Sequence, residues 1–238
     1  MIKIKRSSCP ETLKKSKAVN AYRLKIVVSA LWKMQHKKCC YCEMNLPETG
    51  HGKAVEHFKP KAVFESFAND WENLLLACPQ CNGLKSDKFP VELTDEQNET
   101  KVIFVKKNGK NKKAGGPLLI DPSDNRVDPE KHIGFVVETT EDYGVPYARN
   151  GSSRGRATIN TVGLDDDYYC RERREFMFEI LEQAYLQLLA ADHFHRQQGL
   201  DNSKQRFESY MAEDHRFAAF AREFARAKKL DRFGIEIP

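Results

Sequence analysis

The chain contains no run of eighteen apolar residues; its longest apolar stretch, Ile26 to Trp32, is short and interrupted by Ser29, which argues against a membrane-spanning helix. No apolar stretch follows the basic start MIKIKRSSCPETLKK, so a secretory signal is not expected and the setting is read as cytoplasmic, where thiols stay reduced. No internal repeat is visible, which sets aside solenoid and propeller arrays. Acid is the scarcest feature locally. Residues 1–38 hold eleven Lys and Arg against Glu11 alone, a balance of +10, so the remaining 200 residues sum to −5 within the overall +5. The stretch Lys101 to Lys113 carries six lysines and no acid. Patches of one sign point to a polyanionic partner.

What is present is an ordinary globular composition: 238 residues, 40% apolar, mean hydropathy −0.64, enough for a sizeable core in one domain or two small ones. Pro10 and Glu11 suit a helix start, and Val19, Tyr22, Ile26, Ala30 and Met34 recur at helical spacing. From Cys39 the pattern shortens to a cysteine knuckle, a turn at NLPETGHGK, a strand near Ala54 to Phe58 and a short helix over Pro79 to Lys85, closed by Pro90. KVIFV and HIGFVVE read as strands, separated by the Gly- and Lys-rich KKNGKNKKAGGP and the turn-rich PLLIDPSDNRVDPE. RGRATINTVGL is a short amphipathic piece. Asp165 offers an N-cap for a long helix with Phe176, Ile180, Ala184 and Leu188 on one stripe, and RFAAFAREFARAKKL makes a final helix. The expected organisation is α+β, in four segments: 1–38 basic and helical, 39–95 a compact core, 96–150 rich in strands and turns, 151–238 helical.

Five of the seven cysteines fall in two clusters. Cys39 and Cys42 make one C-x-x-C and Cys78 and Cys81 another, 35 residues apart. In a reduced compartment this spacing suits four thiolates around a tetrahedral structural Zn²⁺. Cys40 has the wrong spacing to replace Cys39 and is read as a small buried hydrophobe. Cys9 and Cys170 have no base nearby in sequence. His36, His51, His132, His193, His195 and His215 lack ligand-like company. The separation exceeds that of a compact zinc ribbon, and what lies between is VEHFKPK and WENLLLACPQCN, with a Glu–His pair that a purely structural zinc module does not need.

Taken in order, Cys39-x-x-Cys42, Glu56-His57 followed by Pro60, Asn73 in ENL, Cys78-x-x-Cys81-Asn82 and Lys85 resemble the HNH endonuclease family, whose ββα-metal fold is often bracketed by two C-x-x-C zinc knuckles. This covers residues 39 to about 90. More narrowly, YCE, EHFKPK, WENLLLACPQCN, KSDKFP and LLIDPSDNRVDPEKHI are similar to the HNH subunit of Septu-type anti-phage systems, including those linked to retrons, and this likeness extends more weakly over most of the chain. The resemblance implies a ββα-metal core with structural zinc, flanked by an N-terminal helix and a mainly helical C-terminal region.

The resemblance also implies the site. His57 is the general base, its imidazole oriented by Asn73. Glu56 and the amide oxygen of Asn82 hold one Mg²⁺ or Mn²⁺, and Lys85 and Lys59 meet phosphate. Zinc only scaffolds. Two departures stand out: Glu56 replaces the more frequent Asp, and Asn82 replaces a frequent His. The implied partners are nucleic acid, with DNA favoured and RNA such as tRNA the alternative, and an ABC/SMC-like ATPase of the same defence system. A retron reverse transcriptase with its DNA is a further implied partner, and no membrane is. A zinc-stabilised nucleic-acid-binding adaptor with a dead site is the reading from another class. The N-terminal helix and the Lys101 to Lys113 loop are expected to hold the substrate without reading sequence. Trp71 is expected to pack the core beneath the knuckle.

Overall fold

The N-terminal helix expected from one long stripe forms in pieces. In the computed structural model, which describes residues 1–94, 100–106, 115–138 and 141–238, α1 spans Glu11–Lys15 and α2 spans Lys25–Met34, with a 3-10 turn Ala21–Arg23 between them. Leu24 has the extended angles φ −57°, ψ 133°, so the helical phase is reset before α2. Two members of the expected stripe therefore point outward: Val19 is 82% and Ile26 55% exposed, while α2 buries Val27, Leu31, Trp32 and Met34. A 3.6-residue period marks a single face only along an unbroken helix.

The basic N-terminal segment is partly consumed by the fold. The Arg6 guanidinium donates to the carbonyls of Trp71, Glu72 and Leu74 at 2.6, 2.8 and 2.7 Å. Lys38 is buried against Glu43 and the His215 carbonyl. The rest of the +10 balance is carried by lysines such as Lys17, Lys25 and Lys33, and by Arg23, which are exposed. The Lys107–Lys113 part of the second basic run lies outside the described residues.

Strand β1, Ala54–His57, pairs antiparallel with β2, Leu74–Ala77, in the register Ala54 to Ala77 and His57 to Leu74. β2 reads LLLA and is buried along its whole length, as an apolar run without alternation requires. Buried Gln35 extends the pairing: its amide nitrogen donates to the Leu76 carbonyl at 2.8 Å and its amide oxygen accepts from the Leu76 N–H at 2.7 Å. Helix α3, Pro79–Lys85, follows directly. Cys78 is its N-cap, the thiol accepting from the Cys81 N–H, and Pro79 stands in the first turn, where its missing N–H costs nothing. Trp71 is buried and donates from Nε1 to the Ser7 carbonyl.

Beyond this ββα unit, β3 (Pro90–Thr94) pairs with β4 (Thr100–Phe104), and β5 (Ile133–Phe135) with the short β6 (Pro146–Ala148). The helical region comprises α4 (Ser153–Val162), α5 (Asp167–Phe176), a π-helical turn Met177–Leu181, α6 (Glu182–His193), α7 (Gln197–Met211) and α8 (Ala218–Ala227). The N-cap of α5 is Asp166, which accepts from the Tyr168 N–H, one residue later than the sequence suggests. Phe176, Ala184 and Leu188 are buried as expected and Ile180 is half-buried. One hydrophobic core runs through all of this, joining Leu31, Leu75, Ile120, Val162, Phe176 and Phe220. Among the described residues, no helix is long and apolar enough to cross a membrane.

Candidate active site and thiol cluster

The two C-x-x-C pairs meet. The sulfurs of Cys39, Cys42, Cys78 and Cys81 all lie within 4.8 Å of one another, and Cys42 Sγ is 3.8 Å from Cys78 Sγ. A tetrahedral ion with metal–sulfur bonds of about 2.3 Å puts its sulfur edges at about 3.8 Å, so the cluster fits a thiophilic metal. Cys40 is not a member. Its N–H donates to the Leu76 carbonyl, docking the first knuckle on β2. A residue from far along the chain completes the surround: the Tyr169 hydroxyl on α5 lies 2.9 Å from Cys78 Sγ and 3.3 Å from Cys81 Sγ. Burial and the adjacent sulfurs push the Tyr169 phenol well above its usual pKa, which keeps it a donor.

The clustered thiols anchor α3 beside β1, and this brings three expected site residues together. Glu56, His57 and Asn82 line one cleft of about 500 Å³. Glu56 is buried. Its Oε1 accepts from the Lys85 ammonium at 2.6 Å and the Tyr41 hydroxyl at 3.2 Å, and its Oε2 accepts from the Asn82 amide nitrogen at 2.9 Å. Burial raises the Glu56 pKa, against the opposing pull of Lys85, Tyr41 and Asn82.

The donor set bears on the divalent ion that the resemblance implies. A hard octahedral cation with oxygen ligands at about 2.1 Å spaces neighbouring oxygens by about 3 Å. Rotation of the Asn82 amide would exchange its nitrogen for its oxygen at the present 2.9 Å from Glu56 Oε2. The pair therefore fits such an ion, with water completing the shell.

His57 is held by backbone. Its Nε2 is 3.0 Å from the Ala68 carbonyl oxygen, and since a carbonyl only accepts, Nε2 carries the proton and Nδ1 the lone pair. The Tyr22 ring meets the imidazole edge-on at 4.6 Å. Burial, with smaller contributions from Lys61, Lys85 and Arg23, lowers the His57 pKa from 6.5 to about 4 against the pull of the Ala68 hydrogen bond. The imidazole is neutral at pH 7.

Three expected contacts differ. Asn73 does not touch the imidazole: its amide oxygen accepts from the Lys59 N–H at 2.7 Å and its amide nitrogen donates to the carbonyls of Lys59 and Phe67, each at 3.0 Å. It ties together the two ends of the 59–73 loop that carries Ala68, so any influence on His57 passes through backbone. Lys85 does not face the cleft. It is fully buried, bridging Glu56 and the His57 carbonyl at 2.8 Å, because burying a carboxylate without a counter-charge is costly. Lys59 is absent from the cleft lining as well, its ammonium lying 4.1 Å above the Phe67 ring. The residues missed by sequence reasoning are Tyr22, Tyr41 and Tyr169. No spacing rule flags a lone tyrosine; only the fold brings these hydroxyls and rings to the site.

With this geometry established, comparison with known proteins defines the class. Residues 39–88 match the family model described as HNH endonuclease, and this segment is an HNH endonuclease domain. Two curated relatives are both named Septu protein PtuB. The one from Bacillus mycoides (strain KBAB4) is 29% identical over 174 residues, covering 67% of this chain and 54% of that protein. The one from Bacillus thuringiensis is 34% identical over 123 residues, covering 47% and 48%. The chain thus spans about half the length of the curated relatives it matches.

Proposed function

We propose that the chain is a metal-dependent endonuclease that hydrolyses phosphodiester bonds in nucleic acid, with DNA favoured, and acts in a Septu-type anti-phage system. The observation that carries this reading is the convergence of a neutral imidazole, Glu56 and Asn82 in one cleft beside the four thiols.

In this reading His57 Nδ1 takes the proton from an attacking water, while Nε2–H on the Ala68 carbonyl holds the tautomer. Glu56 Oε2 and the Asn82 amide oxygen would hold Mg²⁺ or Mn²⁺, which when bound supplies Lewis-acid stabilisation of the phosphate and the leaving 3′ oxygen. Lys85 and Tyr41 fix the carboxylate in place. The thiol cluster is assigned Zn²⁺ with a scaffolding role only. The similarity to proteins named Septu protein PtuB supports a partner from the same defence system. This partner is taken to be an ABC/SMC-like ATPase, with a retron reverse transcriptase and its DNA as a further associate where the system is retron-linked, and the chain is taken to act in the cytoplasm.

The test is incubation of the purified chain, with and without the ATPase, in Mg²⁺ or Mn²⁺ with duplex DNA, single-stranded DNA and tRNA in separate reactions. His57→Ala is expected to abolish cleavage and to retain zinc and nucleic-acid binding. Cleavage confined to tRNA would redirect the substrate to RNA. Cleavage that is unchanged in His57→Ala would remove the assigned chemistry, and binding without cleavage by the wild type under every condition would favour an adaptor.

A further inference from the structure

Neither lysine expected to meet phosphate lines the cleft, Lys85 being buried on Glu56 and Lys59 lying over the Phe67 ring, so a polyanion that enters it meets other cations. Two are at hand. Arg23, at the end of the 3-10 turn before α2, and Lys61, after Pro60, line the same cleft as His57, Glu56 and Asn82, and both are exposed. Neither pairs with a carboxylate among the described residues.

Both are positioned by one aromatic ring. The Tyr22 side chain is buried and meets His57 edge-on. Its hydroxyl accepts from the Lys61 ammonium, which also sits 4.8 Å above its ring, and the Arg23 guanidinium lies 5.6 Å from the same ring. Asn69 secures this turn to the loop that holds the imidazole: its amide oxygen accepts from the Tyr22 N–H, and its amide nitrogen donates to the carbonyls of Ala18 and Val19. Asn69 is the direct neighbour of Ala68, whose carbonyl fixes His57. The cations and the base are therefore built on one stapled unit. A second hollow, of about 520 Å³, adjoins the cleft through the shared residues Arg23 and Val55 and adds Lys25 and Lys53, the latter held by the carbonyls of Pro47 and Glu48.

We propose that Arg23 and Lys61 form a phosphate clamp over the His57 cleft, and that the nucleic-acid strand continues across Arg23 into the hollow bearing Lys25 and Lys53. This rests on the nuclease reading of the same cleft. The clamp contacts backbone phosphate, which carries no sequence information, so it binds strands of any sequence. Arg23 is the stronger member because its guanidinium is a planar fork that can meet two phosphate oxygens.

The test uses the His57→Ala protein, so that binding is read without cleavage, and fluorescence anisotropy with labelled single-stranded and duplex DNA over a range of salt. Each phosphate contact contributes about 0.7 to the salt slope on a single strand and about 0.9 on a duplex. Arg23→Ala and Lys61→Ala are each expected to lower the slope by about that amount, which corresponds to about five- to eightfold in Kd for a tenfold change in salt. Together the two losses should add. Arg23→Lys should restore most of the slope, and Arg171→Ala, an exposed cation on α5 outside both hollows, should leave it unchanged. Zinc content and the thermal melt check that each variant is folded. A slope unmoved by the double variant, or moved equally by Arg171→Ala, would overturn the clamp, as would a complete lack of salt-dependent binding. Anisotropy is recorded without added divalent ion, so persistent cleavage by His57→Ala once Mg²⁺ is supplied would fault the assigned base and leave the clamp readout intact.

Discussion

The Lys85 ammonium lies 2.6 Å from Glu56 Oε1 and 2.8 Å from the His57 carbonyl oxygen, with its side chain entirely buried. It neutralises the carboxylate from behind while Asn82 meets the other oxygen from the cleft side. A buried pair of this kind tolerates the loss of both partners better than the loss of one. Lys85→Met should therefore destabilise the protein by about 3–5 kcal/mol in urea unfolding, and the double variant Lys85→Met with Glu56→Gln should recover a large part of that. A Lys85→Met protein as stable as wild type but deficient in nucleic-acid binding would return Lys85 to the surface role its sequence position suggests.

Asn73 makes three hydrogen bonds across its loop and none to the imidazole. Asn73→Ala leaves the Lys59 N–H and the Lys59 carbonyl without a partner, while the Phe67 carbonyl keeps the Asp70 N–H, and should cost about 2–3 kcal/mol. Because Ala68 rides on this loop, the variant should also lose at least tenfold in kcat with KM little changed, and the His57 ring resonances should shift and broaden in NMR spectra. Asn73→Asp should fail similarly, since a carboxylate cannot donate to the Lys59 and Phe67 carbonyls. Normal kcat in either variant would mean that Ala68 holds its place without the bracket.

Part of the ββα unit was legible in the sequence because its signals are local. Residues 79–85 open on Pro79 and two C-x-x-C pairs make one thiol cluster, and the structure forms β1 and α3 at nearly the expected bounds, whereas β2, Leu74–Ala77, was given no bounds because a short apolar run without alternation reads equally as strand or buried helix. The N-terminal stripe misled because Val19 and Ile26 keep helical spacing across a break at Leu24 that no proline or glycine announces. Lys85 misled for another reason. Its place one turn after Asn82 fits solvent and core equally well, and the choice was made by the charge of Glu56, fixed only when β1 and α3 pack together. Arg23 and Lys61 are 38 positions apart and look like ordinary surface cations until the Tyr22 ring brings both to one cleft.

Tyr169 joins the helical region to the thiol cluster through its hydroxyl, 2.9 Å from Cys78 Sγ. Groups that donate to metal ligands from outside typically contribute 10–100-fold in metal affinity. Tyr169→Phe should weaken zinc retention by about that factor in competition with a chromogenic chelator, while leaving the fold intact at saturating zinc. In the cobalt-substituted protein the thiolate-to-metal charge-transfer bands should shift as the donated hydrogen bond is lost. Unchanged zinc affinity together with unchanged cobalt spectra would reduce Tyr169 to a packing residue.

The low pKa of His57 predicts a pH dependence of folding with a definite sign. In the unfolded chain the imidazole takes up a proton as pH falls below 6.5, whereas in the folded chain burial delays this to about 4. Between these values the unfolded state binds more protons, so stability is lost as pH falls from about 6.5 to about 4, and this group adds no further loss below. The cleft is open to water, which screens the effect, leaving about 1–2 kcal/mol. His57→Gln removes the titration and keeps a side-chain amide able to donate to the Ala68 carbonyl. Its unfolding free energy, measured in urea at a series of pH values without added Mg²⁺, should fall less steeply than that of the wild type across this window. Proton competition for the thiols is common to both proteins and cancels in the difference. Parallel curves for wild type and His57→Gln would show that the imidazole titrates normally, and His57 would then be partly protonated near pH 6.5, where a general base must be free.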